Sequence, residues 1–239
     1  VGDPTSGHNR PVDIPPVDGA TYDRAFEIFS GKTHSFTPIY NKDSRDEPFQ
    51  PSRGQALQGR LRLAGGILGG DYDYVRPEIH LTQLHPLSKK IIFAYHVEAG
   101  QFFPYKESEI PLYERYRMGG DRSLRGIPYY SVLPRTEQGL YFTTPGGSRV
   151  GGDRYWQVNV EYQYLIGGPV RLVAFFDMGN TYVQEQGWEF SLWRRTTGLE
   201  MRIFLPIFQA PFRFIYGYNL DPYPDEKQSD FQFSIGTTF

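Results

Sequence analysis

The feature that most limits how this chain can fold is a strict alternation of apolar and polar residues in segments of about ten residues. In the segment YWQVNVEYQYLI, Val158, Val160 and Tyr162 alternate with Asn159 and Glu161. A period of two places the two sets on opposite faces of a β-strand, whereas an amphipathic helix needs a period of about 3.6. No helical pattern of comparable strength occurs, so the chain is predicted to be all-β.

Seven further segments alternate in the same way, and a weaker one lies near Phe36–Lys42. Many run for about ten residues, the length with which a tilted strand crosses a bilayer. Some connections are tight, such as IGGP and FQAP, and others are long, such as Asn219–Ser229. Short turns at one end and long loops at the other are typical of an outer-membrane barrel. The seven segments are ALQGRLRLA, DYVRPEIHLTQ, KIIFAYHVEAG, VRLVAFFDMGNTY, TGLEMRIFL, FRFIYGYN and FQFSIGTTF.

Composition is compatible with such a barrel and gives no support to a nucleic-acid-binding protein, a disulfide-linked fold or a thiolate metal site. The mean hydropathy of −0.50 resembles that of a soluble protein, but alternating lipid-facing and lumen-facing residues also keep the average of a barrel low. The formal net charge of −2 gives no support to a nucleic-acid partner. Because the chain has no cysteine, disulfides and thiolate metal sites are excluded.

A soluble β-sandwich is the alternative fold, since its strands alternate as well. Water would then solvate the polar face of each strand. The length of the strands and the number of charges on their second face favour the membrane barrel. Those charges are Arg60, Arg62, Glu78, Glu98, Glu161 and Asp177.

Two stretches lack the alternation. Residues 1–32 are rich in proline and glycine and are predicted to be a loop or a poorly ordered segment. Residues 104–152 separate two clear strands, and a loop longer than about 15 residues is usually functional or disordered. This loop contains RMGGDRSLRGIPYY, which is rich in arginine and glycine. It is either a solvated loop or a loop that folds back onto acidic partners.

Four motifs, in the same order along the chain, resemble those of the BamA family of outer-membrane proteins. MGGDRSLRGIPYY resembles the long-loop motif of that family, in which a Gly-Gly start precedes Val-Arg-Gly-Phe. NVEYQYLI with VRLVAFFDMGNTY resembles the two strands after the loop, and FQFSIGTTF resembles the C-terminal β-signal. Asp43–Gly54 resembles the stretch before the loop. Leu124 and Ile127 depart from the Val and Phe of the motif, while Arg125 and Gly126 match it.

The resemblance implies a transmembrane antiparallel β-barrel of about sixteen strands, of which this chain has about eight or nine. Open sheet edges in lipid leave backbone groups unpaired at several kcal/mol each. We therefore expect the chain to be the C-terminal half of a longer barrel. Residues 33–239 would form it, with the loop 104–152 folded inward.

The resemblance also implies a function without an enzymatic step and without a cofactor. The protein would fold and insert β-barrel proteins into the bacterial outer membrane through a lateral seam involving the last strand. Its partners would be unfolded outer-membrane proteins, accessory assembly lipoproteins or periplasmic subunits, and outer-membrane lipid. A secretion pore of the two-partner type and a passive porin remain alternatives.

In this family the arginine of the long loop contacts acidic side chains on the inner wall. The alternation along the strands gives an independent check. Glu161 and Asp177 each alternate with apolar residues, so both are predicted to face the lumen of the barrel from neighbouring strands. Two nearby carboxylates need a cation, and a guanidinium can bridge both. We predict a cluster of Arg125, Glu161 and Asp177; the alternative is a solvated Arg125. Gly119, Gly120, Gly126 and Gly179 are predicted to allow the close approach of the loop to the wall.

The last strand carries the predicted seam. Its apolar series is predicted to face lipid, and a glycine within it would weaken the pairing of a strand that opens. In the family an incoming strand adds to this edge. The alternative is a plain closing strand. The residues concerned are Phe231, Phe233, Ile235, Gly236 and Phe239.

Signals for catalysis are weak. The histidines His34, His80, His85 and His96 show no metal-ligand spacing along the chain. His80 and His96 each lie two residues from a glutamate, a pairing compatible with an outer-membrane hydrolase but more typical of solvated lumen charges. No Gly-x-Ser-x-Gly motif and no phosphate loop occur. We therefore predict no catalytic residue, no metal and no cofactor.

Overall fold

The structure is a computed structural model that describes residues 31–106, 108–144, 146–205 and 210–236. These residues form eleven β-strands and three single turns of 3₁₀ helix. Within these ranges, no helix is both long and apolar enough to cross a membrane. The strands are β1 (Ser35–Phe36), β2 (Ile39–Asp43), β3 (Gly54–Ala64), β4 (Tyr74–Pro86), β5 (Ile91–Gln101), β6 (Phe103–Pro104), β7 (Arg154–Gly167), β8 (Val170–Tyr182), β9 (Arg194–Ile203), β10 (Phe212–Asn219) and β11 (Ser229–Ile235).

All the strands join one antiparallel sheet in the order β1-β3-β4-β5-β7-β8-β9-β10-β11. The short strand β2 pairs with β3 beside β1, and β6 pairs with β4 beyond the end of β5. Each of the eight alternating segments is a strand, and the weaker segment near Phe36–Lys42 corresponds to β1 and β2. Within the described residues the sheet is open, with β1 and β2 at one edge and β11 at the other.

The two faces of the sheet have opposite chemistry. On β7, the side chains of Gln157, Asn159 and Glu161 are buried, while the apolar rings of Tyr162 and Tyr164 are exposed. This polar inside and apolar outside is the inverse of a soluble domain and matches a lipid-facing barrel wall. The described strands form a single sheet, so the β-sandwich alternative is wrong. The predicted fold class, an all-β antiparallel sheet of the barrel type, is confirmed.

The connection from β6 to β7, residues 105–153, is called the long loop here. It lies against the buried face of the sheet, where short bridges such as Met118 with Val132 hold its turns. Leu124 and Ile127 are buried in an apolar cluster with Met118, Val132 and Tyr155. The aliphatic Ile127, which stands where the family motif has an aromatic residue, is thus packed in the interior.

Two regions of interest lie largely outside the described residues. Of the N-terminal segment 1–32, only residues 31 and 32 are described, and Phe239 is not described. The last strand ends at Ile235, and Gly236 follows it with a φ of 139°.

Candidate functional site

Three neighbouring strands each direct one carboxylate to the buried face of the sheet. These are Glu161 on β7, Asp177 on β8 and Glu200 on β9, and all three side chains are fully shielded from solvent. Their position follows from alternation, because each lies between apolar residues that face outward. Carboxylates packed so closely repel one another unless cations neutralise them.

Arg125 of the long loop lies among these three carboxylates. Its Nε and Nη2 donate to the two oxygens of Asp177 at 2.8 and 2.6 Å, a bidentate pair. Nη1 donates to Glu161 Oε1 at 2.6 Å and to Glu200 Oε2 at 2.8 Å. The guanidinium carbon lies 3.9 Å from the centre of the Phe175 ring. Charge-assisted, bidentate bonds of this kind fix geometry as well as charge.

Two further arginines complete the arrangement. Arg202 on β9 bonds both Glu161 and Glu200 at 2.6 Å. Arg213 on β10 bonds Glu200 at 2.6 Å and Asp121 of the long loop at 2.8 Å. Three guanidinium groups thus meet four carboxylates in the interior. We call the seven residues the buried charge network: Asp121, Arg125, Glu161, Asp177, Glu200, Arg202 and Arg213.

The structure places Arg125 within bonding distance of both Glu161 and Asp177, the two partners predicted from the sequence. Sequence reasoning missed the other members. Glu200 and Arg202 had the same signal, since they alternate with the outward-facing Leu199 and Met201. No pattern in the sequence indicates that Asp121 belongs to the network, because the path of a loop has no periodicity.

The loop and the sheet touch backbone to backbone at Gly126 and Gly217. A Cβ placed on Gly217 would lie 2.4 Å from Cα of Gly126, so neither chain leaves room for a side chain. Gly126 also has a φ of 87°, in the region that favours glycine. Gly217 on β10 was not singled out from the sequence, although it faces inward between two exposed tyrosines.

The other predicted glycines lie beside this contact. Gly179 is on the inner face of β8, where an added Cβ would come within 2.9 Å of Cε of Met118. Gly119 and Gly120 form the turn before Arg125, and the amide of Gly120 donates to the carbonyl of Ile127 at 2.9 Å. All three therefore lie where the loop meets itself or the wall.

The last strand presents its apolar series outward. Phe231, Phe233 and Ile235 are at least half exposed on the outer face of β11. Among the described residues β11 pairs with β10 alone. On its inner face, Gln232 donates to the carbonyl of Ile127 at 2.9 Å, and Ser234 donates to Asp121 at 2.6 Å. The long loop therefore contacts the last strand directly.

The turn between β2 and β3 approaches the network from the short-turn end of the sheet. Arg171 of β8 donates to the carbonyl of Pro51 at 3.2 Å and to Gln163 at 2.8 Å. Gln163 in turn donates to Glu161 at 2.6 Å. A continuous chain of hydrogen bonds therefore joins this turn to the buried charge network.

Asp46 organises the same turn, and its titration should show this. Burial opposes the ionisation of Asp46, but hydrogen bonds from the hydroxyl and amide of Ser52 and the amide of Arg53 together outweigh it and lower the pKa from 3.8 to about 2. Because the pKa in the folded state is depressed, the stabilisation is complete above about pH 4 and is lost as the pH falls through about 2. NMR titration of labelled aspartate carboxyl carbons, assigned with Asp46→Asn, checks this. A midpoint at 3.8 or above would contradict it.

A one-sheet wall with an apolar outside, a polar inside and a long loop bound to its inner face defines the class of transmembrane β-barrels with an inward-folded loop. Residues 19–239 match the Omp85 superfamily domain, and the chain belongs to this superfamily.

Two individual proteins show the same relationship. The chain is 31% identical over 206 residues to the outer membrane protein assembly factor BamA of Nitratidesulfovibrio vulgaris, covering 84% of this chain and 25% of that protein. It is 28% identical over 114 residues to the sorting and assembly machinery component 50 homolog of Mus musculus, covering 48% of this chain and 22% of that protein. It thus spans about a quarter of the length of these relatives.

A solved structure shows the same fold. The crystal structure of BamA from Haemophilus ducreyi lacking POTRA domains 1–3 matches with a TM-score of 0.71 at 21% identity. The match covers 83% of this chain and 41% of that chain. The resemblance to the BamA family that the sequence motifs indicated is confirmed.

Proposed function

We propose that this chain is the C-terminal part of a barrel that folds and inserts β-barrel proteins into the outer membrane of a Gram-negative bacterium. The observation that carries the proposal is the buried charge network, by which Arg125 and Asp121 of the long loop are bound to four consecutive strands, β7 to β10. The relationship to an outer membrane protein assembly factor supports the same function. The clients would be unfolded outer-membrane proteins.

The mechanism we propose needs no cofactor and no covalent chemistry. The network would stiffen the strands before β11, so that the last strand can part from its neighbour while the rest of the wall keeps its shape. The free edge of β11 would then pair with a strand of the client by β-augmentation. Its outward-facing Phe231, Phe233 and Ile235 would contact lipid, and Gly236 and Phe239 would complete the seam.

Further parts of the proposal concern the whole protein. Residues 33–239 would form the C-terminal part of the barrel, with loop 104–152 inside the lumen. Accessory lipoproteins or periplasmic subunits would deliver clients, and outer-membrane lipid would surround the apolar face. A passive porin would need an open lumen, whereas here the long loop covers the inner face of β7 to β11. A two-partner secretion pore would release its client instead of inserting it.

Cysteine cross-linking tests the seam, and residues 1–239 contain no cysteine that would compete with an introduced thiol. Any cysteine elsewhere in the full-length protein is first replaced by serine. Phe231 on β11 and Tyr216 on β10 are directly paired and lie on the same outer face. A disulfide needs Cβ atoms about 3.8 Å apart, and strands lie about 4.8 Å apart. We expect full-length protein with Phe231→Cys to form a disulfide with a single cysteine in the terminal strand of a client stalled during assembly. The matched variant Tyr216→Cys, one strand further from the edge, should form none.

The cross-linking is measured on non-reducing gels after assembly into liposomes. Cross-linking at neither position while the client still inserts would rule out entry at β11. Clients that cross the membrane and remain soluble on the far side would favour the secretion pore. Ion conductance without any assembly of clients would favour the porin.

A further inference from the structure

A second polar cluster lies on the inner face of the sheet, on strands β4 and β5. His80 and Glu98 are directly paired across these strands, and so are Thr82 and His96. The four side chains form a compact square because paired residues and residues two apart on one face are neighbours in a sheet. None of them belongs to the buried charge network.

The two imidazoles and the carboxylate converge on one point. Oε1 of Glu98 lies 2.8 Å from Nδ1 of His80 and 2.7 Å from Nε2 of His96. One ligand-type atom from each of the three residues lies within 4.8 Å of the other two. Metal–ligand bonds of about 2.0–2.2 Å require three such atoms to lie about 3–3.5 Å apart, so small side-chain movements would suffice.

The second atoms of His96 and Glu98 are already oriented. Nδ1 of His96 lies 2.8 Å from the hydroxyl of Thr82, and the hydroxyl of Tyr155 donates to Oε2 of Glu98 at 3.2 Å. Metal-binding histidines characteristically bond an oxygen through their other ring nitrogen, which fixes the ring and its tautomer. With Nδ1 bound to Thr82, the Nε2 atom of His96 points at the shared centre.

The surrounding charges leave the centre favourable for a cation. The neighbouring carboxylate, Glu78, already interacts with Arg60 at 3.6 Å and with Arg76 at 3.5 Å. It also accepts from the hydroxyl of Tyr116 at 3.0 Å. Arg76 also lies 3.4 Å from Glu114, so these two arginines are paired with Glu78 and Glu114. Glu98 interacts with the two imidazoles and the Tyr155 hydroxyl.

We propose that His80, His96 and Glu98 form a binding site for Zn²⁺ or a similar borderline divalent transition-metal ion. Two imidazoles and one carboxylate are a common donor set for Zn²⁺, and the fourth position would be filled by water from the lumen. On binding, bonds from the ring nitrogens and the carboxylate to the ion would replace the hydrogen bonds that the imidazoles make to Glu98. The ion would cross-link β4 to β5 on the inner wall.

No spacing along the chain indicates this site, because two different strands contribute the ligands. Glu98 follows His96 by two residues, but His80 joins them only through the register of β4 with β5. A shift of one residue would turn His80 to the outer face.

Metal titration of the full-length protein in detergent, after removal of metals with a chelator, tests the proposal. We expect isothermal titration with Zn²⁺ to show one ion per chain, and Co²⁺ to give the visible absorption of a four-coordinate site. His80→Gln, His96→Gln and Glu98→Gln should each weaken binding at least about tenfold. His85→Gln is the matched control, because His85 is an exposed residue of the same strand β4.

Thr82→Val provides a milder variant that keeps all three ligands. It should weaken binding by about 10-fold, and by less than the loss of any of the three ligands, since it removes only the oxygen that orients His96. Lack of stoichiometric binding to the parent protein would overturn the proposal, and so would equal weakening by His85→Gln. Folding of each variant is checked by its heat-dependent gel mobility. Because binding is measured without a client, failure here leaves the proposed insertion function untouched.

Discussion

Replacing Arg125 by alanine should lower the free energy of unfolding by about 3–5 kcal/mol and abolish client assembly. The guanidinium is completely buried, and it binds three carboxylates that are themselves buried. Its removal would take away both side-chain bonds that Asp177 receives from Arg125 and leave only the bond from the backbone amide of residue 125. A buried carboxylate without a cation is far more costly than the loss of one hydrogen bond.

A double-mutant cycle separates this electrostatic cost from lost packing. Asp177→Asn removes the charge that Arg125→Ala leaves unpaired, so the double variant should be less destabilised than the sum of the single variants. Arg125→Lys keeps the charge but loses the bidentate geometry, so its free energy of unfolding should lie between those of the parent protein and Arg125→Ala. Arg117→Ala is the control, because Arg117 is an exposed arginine of the same loop.

Unfolding in denaturant and folding of a client barrel in liposomes are measured on the same full-length variants. If Arg125→Ala unfolded like the parent protein, the network would have no structural role. If it were destabilised and yet assembled clients at the parent rate, the loop would serve stability alone.

The sequence predicted the strands and their faces because lipid and lumen impose opposite chemistry on alternate residues. That rule placed Glu161 and Asp177 on the same face, and applied to β9 it would also have placed Glu200 and Arg202 there. The alternation does not predict the register between strands or the path of the long loop. The meeting of Gly126 with Gly217, and that of His80 with Glu98, depend on which residues of distant segments become neighbours.

The network also connects the long loop with the edge of the sheet. Asp121 binds Arg213 on β10 through the same oxygen, Oδ2, that accepts the hydroxyl of Ser234 on β11. Separation of β11 from β10 would therefore have to break a bond to the loop as well as the ladder between the strands. This makes the position of the loop a determinant of how easily the proposed seam opens.

Gly217→Ala should be strongly destabilising for a single-methyl change, costing about 3 kcal/mol or more, at the upper end for overpacking. The added Cβ would lie 2.4 Å from Cα and 2.6 Å from N of Gly126, both backbone atoms that cannot rotate away. The loop would have to lift from β10, and Arg125, the adjacent residue, would move with it. We therefore expect slower client assembly and increased cleavage of the long loop by protease.

Gly59→Ala on β3 is the matched control for this substitution. It adds the same methyl to a strand glycine, but no heavy atom lies within 4 Å of the new Cβ. Its free energy of unfolding should therefore change by no more than about 0.5 kcal/mol. Equal stability of the two variants would show that the loop does not rest on β10. A destabilised Gly217→Ala with an intact loop and normal assembly would instead mean that the contact stabilises the wall without positioning Arg125.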